Sequence, residues 1–145
     1  MIGGKNVMIA PVLKFNGDCA EAIELYKKAF GATDEYVDYY RNAPDDSGLP
    51  NKEPMANKIM HSGMTMAGTH FNMSDEIDMV ENGNRYAFNV LLNSDDKVKA
   101  AFEILKEGGK VVVNLGPQFF SPMYASVLDR FGVHWQLIAD YNNGE

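Results

Sequence analysis

The amino-acid sequence predicts an α+β domain of two βαβββ modules, about residues 7–75 and 84–140, and three observations carry that prediction. Two segments with helical apolar spacing each sit among segments whose apolar period is two. Each helix opens on a matched pair, Asn16-Gly-Asp18 and Asn93-Ser-Asp95, at an offset of 77. Gly68-Thr-His-Phe-Asn-Met73 returns as Gly132-Val-His-Trp-Gln-Leu137 at an offset of 64, with glycine, His, aromatic, amide and apolar residues in the same order. The offset falls by 13, so the first module holds that many extra residues between its helix and its last strand.

The elements follow in order. A strand is expected at 9–15. Asp18-Cys-Ala-Glu21 then resembles a capping box, Ala22, Leu25, Tyr26, Ala29 and Phe30 form one apolar stripe, and Gly31 supplies a left-handed helix end. Strands at 34–41, 57–66 and 69–74 complete the first module. The stretch 42–54, rich in Asn, Pro, Asp and Gly, takes the extra residues as a long loop between the second and third strands, either a solvated connection or a flap. In Arg85 to Leu92 the alternation of Tyr86, Phe88, Val90 and Leu92 predicts a strand with one apolar face, and Arg85, Ala87 and Asn89 on the other. Asn93-Ser-Asp-Asp96 caps the second helix, Val98, Ala101, Phe102 and Leu105 form its stripe, and Gly108-Gly109 ends it. The last strands are expected at 110–115, 122–128 and 133–139.

Composition limits the function. With 145 residues, 46% hydrophobic and 23% charged, the chain fits one globular domain. Thirteen basic against twenty acidic residues leave a net charge of −7, which disfavours nucleic acid and anionic membranes as partners. The lone Cys19 forms no internal disulfide, fits a reducing compartment and excludes a Cys-ligated zinc site. Val7 to Leu13 is interrupted by Pro11 and too short for a signal-peptide core, and no run approaches the roughly 18 apolar residues of a membrane span, so a cytoplasmic, soluble protein is expected.

Two βαβββ modules, with Phe15-Asn-Gly-Asp-Cys-Ala-Glu-Ala-Ile-Glu-Leu-Tyr26 early and Asp129-Arg-Phe-Gly-Val-His-Trp-Gln136 late, resemble the vicinal-oxygen-chelate superfamily, which includes glyoxalase I, extradiol dioxygenases and bleomycin and fosfomycin resistance proteins. Pro11-Val-Leu-Lys-Phe-Asn-Gly17, His61, Met73-Ser-Asp75 and Phe131-Gly-Val-His-Trp135 are similar to the PhnB-like branch. The resemblance implies an incomplete barrel with helices outside and a central cleft, and a homodimer. Alternation agrees: Phe71, Met73, Trp135 and Leu137 face the helices, while His70, Asn72, His134 and Gln136 face the cleft.

Metal-dependent members of the superfamily carry ligands on the first and last strand of each module. Here those positions fall on Pro11 (or Ala10 or Val12), Asn72, Arg85 and Gln136, which offer one guanidinium and two amides. The expectation is a cleft without a bound metal or cofactor, suited to an anionic or carbonyl-bearing small molecule and lined by His61, Asn72, Arg85, Gln136 and Tyr124. His61 recurs in the PhnB-like pattern and reads either as a proton-transfer group or as a buried, hydrogen-bonded histidine. No carboxylate motif adjoins the three His in the sequence. Six Met between positions 55 and 79 read as core filler or adaptable pocket lining. Phe119, Phe120 and Tyr124 close the cleft rim or meet a second copy. The expected function is small-molecule binding or resistance, with a metal-dependent lyase, isomerase or dioxygenase as the alternative. A methyltransferase, a label also attached to this branch, would need a Gly-rich loop after the first strand, whereas Gly3-Gly4 precedes any strand and Gly108-Gly109 ends a helix.

Overall fold

The computed structural model describes residues 7–142, so Gly3 and Gly4 lie outside it. The elements are β1 (Val12–Phe15), α1 (Cys19–Phe30), β2 (Thr33–Tyr39), a single 3-10 turn at Tyr40–Asn42, β3 (Ile59–Met66), β4 (Thr69–Asp75), β5 (Phe88–Leu92), α2 (Asp95–Leu105), β6 (Lys110–Gln118), β7 (Ser121–Leu128) and β8 (His134–Ala139). The βαβββ order occurs twice, as the sequence predicts. The strands form two mixed four-stranded sheets of the same connectivity, β1-β4-β3-β2 and β5-β8-β7-β6. In each, the first strand runs parallel to the last and the remaining pairs are antiparallel. Neither sheet closes into a barrel.

Contacts divide the chain into two units. One holds the residues up to Cys19 with Thr33–Met79; the other holds Ala20–Ala32 with the residues from Val80 onward. The helix of the first repeat therefore contributes to the second unit. In the first unit Leu13, Phe15, Met64, Met66, Phe71 and Met73 are buried, so three of the six clustered methionines are core filler, whereas Met79 is exposed. The buried Asp75 carboxylate accepts the Cys19 N–H at the start of α1 and the Ile59 N–H at the start of β3, both at 2.9 Å. Burial, with Asp75 and Asp18 nearby, pushes the Cys19 thiol far above its ordinary range, so it stays protonated and inert.

In the second unit α2 starts at the Ser94 cap, whose hydroxyl accepts the Lys97 N–H at 3.2 Å. Its stripe of Val98, Ala101, Phe102 and Leu105 is fully buried, and the helix lies on β5, β7 and β8. Tyr26 and Phe30 of α1 bring their rings to 5.3 and 4.9 Å from that of Trp135. The loop at 42–54 is tied at its base, where Arg41 N–H donates to Ala56 O at 3.0 Å and Asn51 Nδ2 donates to Ala43 O at 2.8 Å and to Asp45 Oδ1 at 2.7 Å.

Several strand ends depart from the expectation, β1 starting at 12 rather than 9 and β6 running to 118 rather than 115, and one departure bears on the site. β5 begins at Phe88, and Arg85 and Tyr86 lie on the preceding loop, Tyr86 being 78% exposed. Extending the β5–β8 register from Phe88↔Trp135 would set Tyr86 beside Val133. Both main-chain groups of Val133 are already committed to Asp129, which leaves residues 85–87 no ladder to join.

Candidate functional site

On the first sheet, strand alternation puts Met64, Phe71 and Met73 on the buried face and His61, Gly63, Thr65, His70 and Asn72 on the other. β2 adds two consecutive side chains to that polar face. A regular strand would turn one of them away, but the register shifts between Asp34 and Tyr36, and both Glu35 and Tyr36 bond to residues of the polar row.

Asn72 anchors one end of the row. Its Nδ2 donates to the Ser62 carbonyl at 3.1 Å, which fixes the amide orientation because a carbonyl only accepts, and to the Tyr36 hydroxyl at 3.3 Å. That hydroxyl lies 2.9 Å from His61 Nδ1 and 3.5 Å from Nε2, spanning the edge of the imidazole between its nitrogens. Burial, reinforced by the Glu35 charge, pushes the Tyr36 phenol above its ordinary value, so it remains an O–H donor at neutral pH. Only glycine fits at position 63: a Cβ there would stand 2.5 Å from Tyr36 Cε1 and 3.2 Å from His70 Cε1.

The other end is a carboxylate and an imidazole. Glu35 Oε2 accepts from Thr65 Oγ1 at 2.9 Å and lies 3.0 Å from His70 Nδ1. The hydrogen bond from His70, then that from Thr65, lowers the Glu35 carboxyl below its usual range and keeps it ionised. An ionised carboxylate only accepts, so His70 carries a proton on Nδ1, the tautomer that in the neutral ring leaves Nε2 as the lone pair. Of the three histidines, His70 thus has a carboxylate beside it that the sequence reading did not find, whereas His61 meets Tyr36 and His134 meets Ser126. Neither Glu35 nor Tyr36 was singled out there, because the irregularity that presents them belongs to strand pairing.

The second sheet carries Gln136 on the face opposite the buried Trp135 and Leu137. Its register neighbours are Asn89 on β5 and Ser126 on β7, and Ser126 Oγ stands 2.6 Å from His134 Nε2. Asn89, rather than Arg85, occupies the β5 position beside Gln136. Tyr124 is largely buried, its ring 5.0 Å from that of Phe120 in an edge-on contact, and Phe119 at the β6–β7 turn is fully exposed. The structure thus brings His61 and Asn72 together through Tyr36, gives Gln136 the neighbours Asn89 and Ser126, and leaves Arg85 on a loop.

The register also tests the superfamily's metal positions. Val12 stands opposite Asn72 and Asn89 opposite Gln136, an isopropyl group and three neutral amides. Among the described residues no three His, Cys, Asp or Glu side chains are grouped to hold a metal ion. Amide oxygens are weak ligands beside the carboxylates, imidazoles and thiolates that hold most protein-bound divalent cations, so neither pair fits one.

Comparisons with known proteins agree with this architecture. The sequence profile of the Glyoxalase/Bleomycin resistance protein/Dioxygenase superfamily matches residues 8–137. Protein YjdN of Escherichia coli (strain K12) is 26% identical over 142 residues, covering 89% of this chain and 92% of YjdN. Among solved structures, protein PA1353 from Pseudomonas aeruginosa superposes with a TM-score of 0.80 at 28% identity, covering 93% of this chain and 98% of that one. The PhnB protein from Bacillus cereus superposes with a TM-score of 0.77 at 23% identity, covering 92% of this chain and all of the other. With its duplicated βαβββ modules and a profile match over residues 8–137, the chain belongs to the glyoxalase/bleomycin resistance/dioxygenase superfamily and shares the fold of the PhnB protein.

Proposed function

We propose that the protein binds a small molecule, in the manner of a resistance or sequestration protein, and that it recognises the ligand by neutral hydrogen bonds rather than through a metal. The observation that carries this reading is the donor set on the polar face of the first unit, the Asn72 amide with the Tyr36 hydroxyl and the His61 ring; the second unit presents a pair of its own, Asn89 and Gln136. Both hydrogens of Asn72 are engaged, which leaves its Oδ1 to accept from a ligand, while the Tyr36 hydroxyl donates to the ligand when His61 carries its proton on Nδ1 and donates to Tyr36. A carbonyl- or amide-bearing ligand matches these groups, and Arg85 is not needed.

Elemental analysis of protein purified without chelator, followed by calorimetric titration with zinc, nickel and manganese, is expected to find no stoichiometric metal. Micromolar or tighter binding that weakens on changing His61 or Gln136 would instead support a metal-dependent lyase, isomerase or dioxygenase. We further propose a cytoplasmic homodimer, supported by the exposed aromatic turn at Phe119 and Phe120 and by the open edges of both sheets. Light scattering at micromolar concentration is expected to return about twice the 16.1 kDa chain mass; a monomer throughout that range removes the dimer.

A further inference from the structure

The binding reading leaves the Glu35–His70 pair without a task. An ion pair on an open surface is commonly no more than decoration. This one is built more firmly. The β2 irregularity delivers Glu35, Thr65 pins the same carboxylate oxygen that meets His70, and the His70 side chain is only 17% exposed. Among the described residues nothing hydrogen-bonds to His70 Nε2, and the ring edge shares the space above Gly63 with the ring of Tyr36. The arrangement has the parts of a proton-transfer site: an imidazole oriented by a carboxylate, and beside it a phenol held in its protonated form.

We propose that His70 is a general base for a small, neutral, planar carbon acid, with Glu35 as its positioning residue and the Tyr36 hydroxyl as donor to the oxygen on which negative charge collects. The proposal rests on the reading of this face as a small-molecule site and adds chemistry to it. In the step, the C–H bond of the ligand breaks, its proton moves to Nε2, and the released electron pair passes into the ligand to reside on oxygen. No oxidant, reductant or metal takes part.

The compound 5-nitrobenzisoxazole probes this step. Loss of its ring C–H proton to a base forms the nitrile and breaks the N–O bond, releasing a coloured phenolate whose oxygen can accept the Tyr36 hydrogen bond. The intact protein is expected to turn it over at least about 10-fold faster than His70→Gln, a threshold set below the roughly 10²–10⁴-fold that positioned bases supply. Glu35→Gln is expected to lower kcat with KM unchanged and, in nitrogen NMR, to turn the single His70 tautomer into a mixture. Lys99→Gln, on the exposed side of α2, is expected to leave the rate unchanged. Circular dichroism establishes that each variant is folded. If the probe shifts the Gly63 amide resonance but the intact protein is no faster than His70→Gln, His70 is not a base and the binding reading stands. If the probe leaves that resonance unmoved, the proposal falls along with the assignment of this face as the ligand site.

Discussion

Asp129→Ala is expected to destabilise the protein by about 4 kcal/mol or more, a large share of the roughly 5–15 kcal/mol that holds an ordinary domain folded. The carboxylate is 3% exposed and accepts four hydrogen bonds. Oδ1 takes the Phe131 and Val133 N–H groups at 2.9 and 3.0 Å. Oδ2 takes the Tyr26 hydroxyl at 2.7 Å and the Trp135 indole N–H at 2.9 Å. Removal strands two side-chain donors in the interior and two main-chain donors in the loop that joins β7 to β8. Asp129→Asn retains one accepting oxygen but turns an N–H₂ group toward two donors, so its loss falls between wild type and Ala. Tyr26→Phe removes one hydroxyl and leaves an acceptor with other partners, so about 1 kcal/mol is expected. Urea unfolding of the single variants and of Tyr26→Phe combined with Asp129→Ala provides the check. Additive losses would mean that the two residues are not coupled.

Phe102→Ala is expected to cost roughly 3 to 5 kcal/mol, as truncations of large buried rings do. The ring is 4% exposed on the inner stripe of α2, which rests on the sheet face carrying Val90, Trp135 and Leu137. Tyr86, which alternation places on that face, is absent from it, so Tyr86→Ala is expected to change stability by less than about 0.5 kcal/mol. Thermal unfolding of the pair tests the assignment: a small loss at Phe102, or a large one at Tyr86, contradicts the packing described.

Features set by neighbours along the chain were legible in the sequence. The Ser94 cap and the Val98, Ala101, Phe102 and Leu105 stripe depend on residues within a few turns of one another, and both appear as expected. The two faces of β4 and β8 also follow from period-two alternation. What escaped depends on partners distant in sequence. The Glu35–Tyr36 irregularity exists only when β2 is paired with β3. The start of β5 is decided by Asp129, which occupies the main chain of Val133 more than forty residues downstream. Alternation does place Asn89 on the face opposite Val90 and Leu92; continuing that face back through Ala87 drew attention to Arg85.

The allocation of α1 bears on how the two halves of such a chain depend on one another. Cutting the polypeptide between Asp75 and Phe88 would separate the repeats as they are written, yet the leading fragment would carry away Tyr26, a hydrogen-bond donor to Asp129. The trailing fragment would retain a buried carboxylate missing one partner and an indole whose ring neighbours Tyr26 and Phe30 were gone. Neither piece is therefore an autonomous miniature of the whole. A repeat of this kind standing alone would need a second copy of itself to supply that helix.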